Sequence, residues 1–121
     1  MLALLLLAAV TQEVRPVGAP RLFMSEPANG AVVAPGEMEL RWTFDRPMRR
    51  GGWSVTGRPE NMPEFVGKPS FSADGRTFVQ RMRLEPGRTY DLGVNSANHR
   101  NFRGEDGTPA VITRIRFSTS R

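Results

Sequence analysis

A Pro-Gly turn followed at once by a tyrosine at the head of an alternating strand narrows the possible folds sharply. Leu84-Glu85-Pro86-Gly87-Arg88-Thr89-Tyr90-Asp91-Leu92-Gly93-Val94-Asn95 has that form. One strand ends at Leu84 and Pro86-Gly87 reverses the chain. The next strand starts at Thr89, with Tyr90, Leu92 and Val94 on one face and Asp91, Gly93 and Asn95 on the other. This is the sequence form of a tyrosine corner, in which the phenol hydroxyl bonds backbone a few residues upstream. It belongs to Greek-key β-sandwiches, and it places Tyr90 among the residues expected to hold the fold.

The flanking segments support the same class. Glu37 to Phe44 alternates strictly, with Met38, Leu40, Trp42 and Phe44 on one side and charged or hydroxyl residues on the other. Such alternation marks a half-buried antiparallel strand. Each large apolar side chain buried contributes about 1.5–3 kcal/mol, so Trp42 and Phe44 are expected core anchors. Thr77 to Leu84 alternates likewise, except that Gln80 stands among its inward residues and requires a hydrogen-bond partner if buried. Val111 to Thr119 closes the series, with Ile115 and Phe117 inward. Shorter extended pieces are expected at 21–24, 32–33, 53–56, 64–66 and 70–72. Asn29-Gly30 and Asp74-Gly75 are turn dipeptides, the second read as a two-residue hairpin loop. No stretch sustains a helical period. The expectation is an all-β, Ig-like antiparallel β-sandwich of about seven strands with Greek-key connections.

Composition restricts the chemistry. With 121 residues the chain has room for one domain. There are no cysteines and a single histidine, His99, which excludes disulfides, thiolate chemistry and histidine-pair sites. No cofactor and no metal site is expected. Net charge is +5, and sixteen of the seventeen basic residues are arginine, a balance that suits anionic partners. Twelve acids are spread as evenly as the bases, so the outward arginines also read as solvated strand faces. Arg81, Arg83, Arg114 and Arg116 form a basic stripe only if their strands adjoin.

Met1 to Val10 is wholly apolar. Ten residues fall short of the roughly 20 needed to cross a bilayer, so no integral membrane span is expected. The segment resembles the apolar region of a secretory signal peptide, with Ala8 and Ala9 as small residues near a cleavage point. Residues 11–20, with two prolines and a glycine, read as a linker, and residues 21–121 as the domain. Export to the periplasm, cell surface or medium is the expected localisation, which takes nucleic acid out of reach as a partner.

Several motifs together resemble one family. Pro27-Ala28-Asn29-Gly30-Ala31, Phe44-Asp45-Arg46-Pro47-Met48, Leu84-Glu85-Pro86-Gly87-Arg88-Thr89-Tyr90, Gly107-Thr108-Pro109 and Phe117-Ser118-Thr119 follow in the order seen in bacterial Ig-like domains of the surface-layer (SbsA) type. The resemblance covers roughly residues 24–119. It implies an Ig-like sandwich in an exported or surface protein, serving as a spacer, adhesive or structural module, and it carries no catalytic residues over to this chain.

No nucleophile-elbow motif surrounds any serine, and no pair of carboxylates is singled out by spacing, so a non-catalytic role is expected. Two segments are candidates for binding. Ser96 to Ala110 is a fifteen-residue loop, a length uncommon without function. With the residue that leads into it, it offers Asn95, Asn98, His99, Arg100, Asn101 and Arg103, donors suited to sugars, carboxylates or phosphates. The loop reads equally as self-packed, pinned by Phe102, with its asparagines bonding its own backbone. The second candidate is Trp53, either exposed for stacking or packed as part of a short strand. The expected partner is another envelope or extracellular protein, or a wall polysaccharide.

Overall fold

The pleat sorts this chain into two layers. A computed structural model describes residues 18–121. The signal-like segment and residues 11–17 of the expected linker lie outside the described residues. Among the described residues eight strands follow in order: β1 (Leu22–Glu26), β2 (Val32–Val33), β3 (Gly36–Phe44), β4 (Val55–Thr56), β5 (Glu64–Phe71), β6 (Thr77–Leu84), β7 (Thr89–Val94) and β8 (Thr113–Thr119). One sheet has the order β1-β3-β6-β5 and the other β2-β8-β7-β4. This is the Greek-key arrangement of an Ig-like sandwich.

The structure amends the sequence reading in four places. The second sheet is mixed, because β2 crosses from the first sheet's edge and runs parallel to β8. The pieces at 64–66 and 70–72 are one strand, β5, with an irregularity between Val66 and Ser70 where Gly67 has a φ of 74°. Asp74-Gly75 sits in a longer loop than two residues. The Ser72 N–H bonds Thr77 O and only Gly75 takes a positive φ, while the Asp74 carboxylate accepts from Ser72 Oγ and from the Arg76 N–H. Residues 18–20 pack onto the domain instead of linking to it. Pro20 is buried, and its carbonyl accepts from the Val111 N–H.

The inward faces meet as the alternation requires. Leu40, Trp42 and Phe44 of β3, Phe78 and Met82 of β6, Leu92 and Val94 of β7, and Phe117 of β8 are essentially inaccessible. Gln80 is buried among them, with its Nε2 donating to the carbonyls of Val66, Gly67 and Arg81. That amide ties β6 to the irregular part of β5, where regular pairing is interrupted.

The tyrosine corner is present. Tyr90 is buried, and its hydroxyl accepts from the Glu85 N–H at 2.8 Å. The Arg88 guanidinium lies 5.6 Å from the ring centre, covering its outer face. Tyr90→Phe should lower unfolding free energy by about 1 kcal/mol, the net value of one such bond, with the urea slope unchanged. Chemical denaturation of the two proteins side by side measures it.

Candidate functional site

Three loops meet at the end of the sandwich where β3, β5 and β7 finish: residues 45–54, 72–76 and 95–112. Backbone hydrogen bonds join them. Met48 N–H donates to Gly75 O, Arg49 N–H to Arg103 O, and Asn95 N–H to Ser54 O. The Arg50 guanidinium adds a bond to Ala73 O. These bonds tie the three loops into one surface.

The loop after β7 is held from within. Asn95 has a φ of 60°, a left-handed conformation that asparagine tolerates better than most residues. Its Nδ2 donates to the carbonyls of Phe102 at 3.0 Å and Ala110 at 3.2 Å, and its Oδ1 accepts from the Phe102 N–H at 2.9 Å. The Asn95 carbonyl accepts from Thr56 Oγ1. Between these bonds Phe102 enters the core, with ring centres 4.9 Å from Phe78, 5.4 Å from Phe44 and 5.9 Å from Trp42. Asn95 is wholly buried, so its part in any site is to fix the loop rather than to touch a ligand.

The clamped loop closes one side of a cleft between the free edges of the two sheets, β4 on one and β5 on the other. Its volume is about 370 Å³, within the usual size range of small-ligand sites. Trp53 and Phe65 supply apolar walls, backed by the buried Phe78, while Ser54, Thr56, Gln80, His99 and Asn101 supply polar groups. Trp53 is half-buried, its ring centre 6.2 Å from that of Phe78, so it is both core neighbour and cleft wall. A shallower hollow of about 350 Å³ adjoins, sharing Val55, Thr56 and His99 and bounded by Arg114.

Of the seven residues singled out in the sequence, three converge here: Trp53, His99 and Asn101. His99 is exposed and set by a tight backbone bridge to Ser96, and the Asn101 N–H donates to Ser54 Oγ. Asn98 and Arg100 are exposed but do not line the cleft, and Arg100 Nε bonds Ala97 O. Arg103 braces its own loop through Gly107 O. Phe65, Phe78 and Gln80 escaped the sequence reading as site residues. The out-of-pattern polar position of Gln80 was the one signal that pointed there.

Charge is distributed unevenly. The outward arginines do not make a single stripe: Arg81 and Arg83 lie on one sheet and Arg114 and Arg116 on the other. Each stands within 4.0 Å of a carboxylate, Glu37 or Glu64 in the first case and Asp91 in the second. At the loop end, by contrast, Arg49, Arg50, Arg76, Arg100 and Arg103 make no ion pair among the described residues. Asp45 does, holding Arg46 Nε at 2.9 Å while Arg46 Nη1 reaches back to Gly18 O at 2.7 Å.

The hydrogen bond from Arg46, with a weaker one from the Arg21 N–H, holds the Asp45 carboxyl below its ordinary value despite partial desolvation. A depressed folded value stabilises the native state above the unfolded value of 3.8, and that contribution is lost as pH falls through the folded value. Asp45→Asn should therefore flatten the fall in stability on acidification below about pH 4. Thermal melts of both proteins at stepped pH test this, and identical slopes would contradict it.

No protein-family model matches the chain, and no curated protein matches it.

Proposed function

We propose that this chain is a non-catalytic Ig-like module of an exported protein, resembling the surface-layer type, which acts by engaging another envelope or extracellular component at the cleft between β4 and β5. The observation that carries this reading is the convergence of Trp53 with His99 and Asn101 of a loop far along the chain on one aromatic-walled hollow. The cleft has features of a binding surface: a half-buried indole, an apolar floor and polar groups at the rim. Ser54 and His99 share it, but Ser54 Oγ is occupied as an acceptor for the Asn101 N–H and makes no hydrogen bond to His99 among the described residues. No carboxylate is among the residues lining it.

Immobilised wild-type protein and the Trp53→Ala variant, each exposed to solubilised envelope, test the reading. A component retained by wild type should be lost from the variant while the variant's melting behaviour stays cooperative. Equal retention would place the interaction elsewhere. Fractionation of cells tests the export half, which full-length protein confined to the cytoplasm would contradict.

A second reading, binding of a wall polysaccharide or other anionic polymer, is favoured by the arginines at the loop end. Five of them face no carboxylate partner among the described residues, whereas the strand-face arginines do. Polymer binding through them should weaken steeply with salt. No helix among the described residues is long and apolar enough to cross a membrane.

A further inference from the structure

Gln80 holds an unspent acceptor inside the cleft. The residue is 95% buried, at 5% relative exposure. Its Nε2 is committed to three carbonyls, which fixes which way the amide points. Nothing among the described residues donates to Oε1. Buried side-chain oxygens without a partner are absent from the described residues, so Oε1 keeps surface of its own, and Gln80 lines the cleft. An accessible acceptor beside aromatic walls can take a hydrogen bond from a ligand donor.

The edges of the cleft argue against an added peptide strand. β4 is only two residues long. β5 carries Lys68 and Pro69 at its irregular stretch, and its backbone is turned by Gly67. Short strands, lysine, proline and bulges are the devices that blunt an edge against pairing. The ligand therefore enters as a compact group rather than as a ladder of main-chain bonds.

We propose that the cleft binds an N-acetylated amino sugar within a glycan chain. This rests on the second reading above and narrows it. An acetamido group brings one N–H for Gln80 Oε1 and one methyl for the apolar surface of Phe65. A plain sugar face would bury several hydroxyls against that surface with a single acceptor to meet them. The Trp53 indole offers a flat face for the ring, and His99 and Asn101 stand at the rim where ring hydroxyls emerge. The arginine-rich loop end continues from Gly52, beside Asn101, and extends the surface along a chain.

The test titrates the purified protein with the N-acetylglucosamine tetramer and with the glucose tetramer of the same linkage, recording amide shifts and tryptophan emission. Trp42 is fully buried, so an emission change reports Trp53. The expected result is saturable binding of the acetylated tetramer, with shifts at Trp53, Phe78, Gln80, His99 and Asn101. The glucose tetramer should bind at least about tenfold more weakly, the equivalent of one lost hydrogen bond. Gln80→Met should remove the preference. Should that variant unfold, Trp53→Ala should weaken the acetylated tetramer about tenfold while leaving the Glu85 amide shift, a reporter of the corner, in place. Equal affinity for the two tetramers overturns the proposal, as does saturation with shifts away from the cleft. If neither sugar binds but wild type still captures an envelope protein that Trp53→Ala loses, the sugar is wrong and the binding-module reading stands. If neither sugar binds and Trp53→Ala captures as wild type does, both fall.

Discussion

Phe102→Ala should destabilise the protein by about 3–5 kcal/mol, the range for deleting a buried phenylalanine ring. A residue in the middle of a polar fifteen-residue loop would ordinarily change stability by no more than about 0.5 kcal/mol. The difference arises because Phe102 is not on the loop's surface. Its ring stands against Phe78, Phe44 and Trp42 at the centre of the sandwich. Removing it opens a cavity whose walls belong to three β-strand residues held in register from both sides, β3 between β1 and β6, and β6 between β3 and β5. Those strands have little freedom to collapse inward. Domains of this kind have about 5–15 kcal/mol in total, so the variant should be marginal at physiological temperature. Urea denaturation gives the value directly, and a loss under about 1 kcal/mol would mean the ring is not in the core.

Asn95→Ala should cost about 3 kcal/mol, through two separable effects. Its side chain answers three buried backbone groups: the N–H and carbonyl of Phe102 and the carbonyl of Ala110. Alanine leaves the Phe102 N–H and the Ala110 carbonyl without a partner, while the Phe102 carbonyl keeps the Ala110 N–H. Alanine also fits poorly at a φ of 60°, at a cost of about 1–2 kcal/mol. Asn95→Gly removes the first effect's partner but accepts the backbone angle, so it should be less damaging than Asn95→Ala by roughly that amount. Asn95→Asp should be worse than glycine, since it sets a buried carboxylate oxygen against carbonyls where Nδ2 donated. Equal cost for alanine and glycine would show that the backbone angle carries no strain.

How much was legible in the sequence follows from the range of the interactions involved. Strands β3, β6, β7 and β8 announce themselves because a period of two is a local property, and their inward residues are the core. The corner is local too, with donor and acceptor five residues apart. The burial of Gln80 followed from its place in the alternation. Phe102 as an internal pin was one of two readings of its loop, and its ring does stand in the core. The cleft was not legible as a place. Trp53, Phe65, Gln80 and Asn101 come from four segments, and only the pairing of β4 with β7 and of β5 with β6 brings them together. Asn95 looked like one more donor in an asparagine-rich stretch. Its inward turn depends on a single left-handed backbone angle that no pattern of hydrophobicity reports. The supposed arginine stripe failed for the same reason, since neighbours in a sheet are set by topology and not by spacing.

The functional account depends on the loop being a fixed wall of the cleft, because His99 and Asn101 are positioned by what Asn95 and Phe102 hold. Amide hydrogen exchange at Phe102 and Ala110 measures this most directly. The Phe102 N–H is bonded to Asn95 Oδ1 and the Ala110 N–H to Phe102 O, both well inside the fold. Their protection should match that of core amides in β6 and β7, so that exchange occurs only through global unfolding. Exchange at the rate of the exposed residues 97–100 would show a loop that opens on its own, and a cleft with no fixed wall.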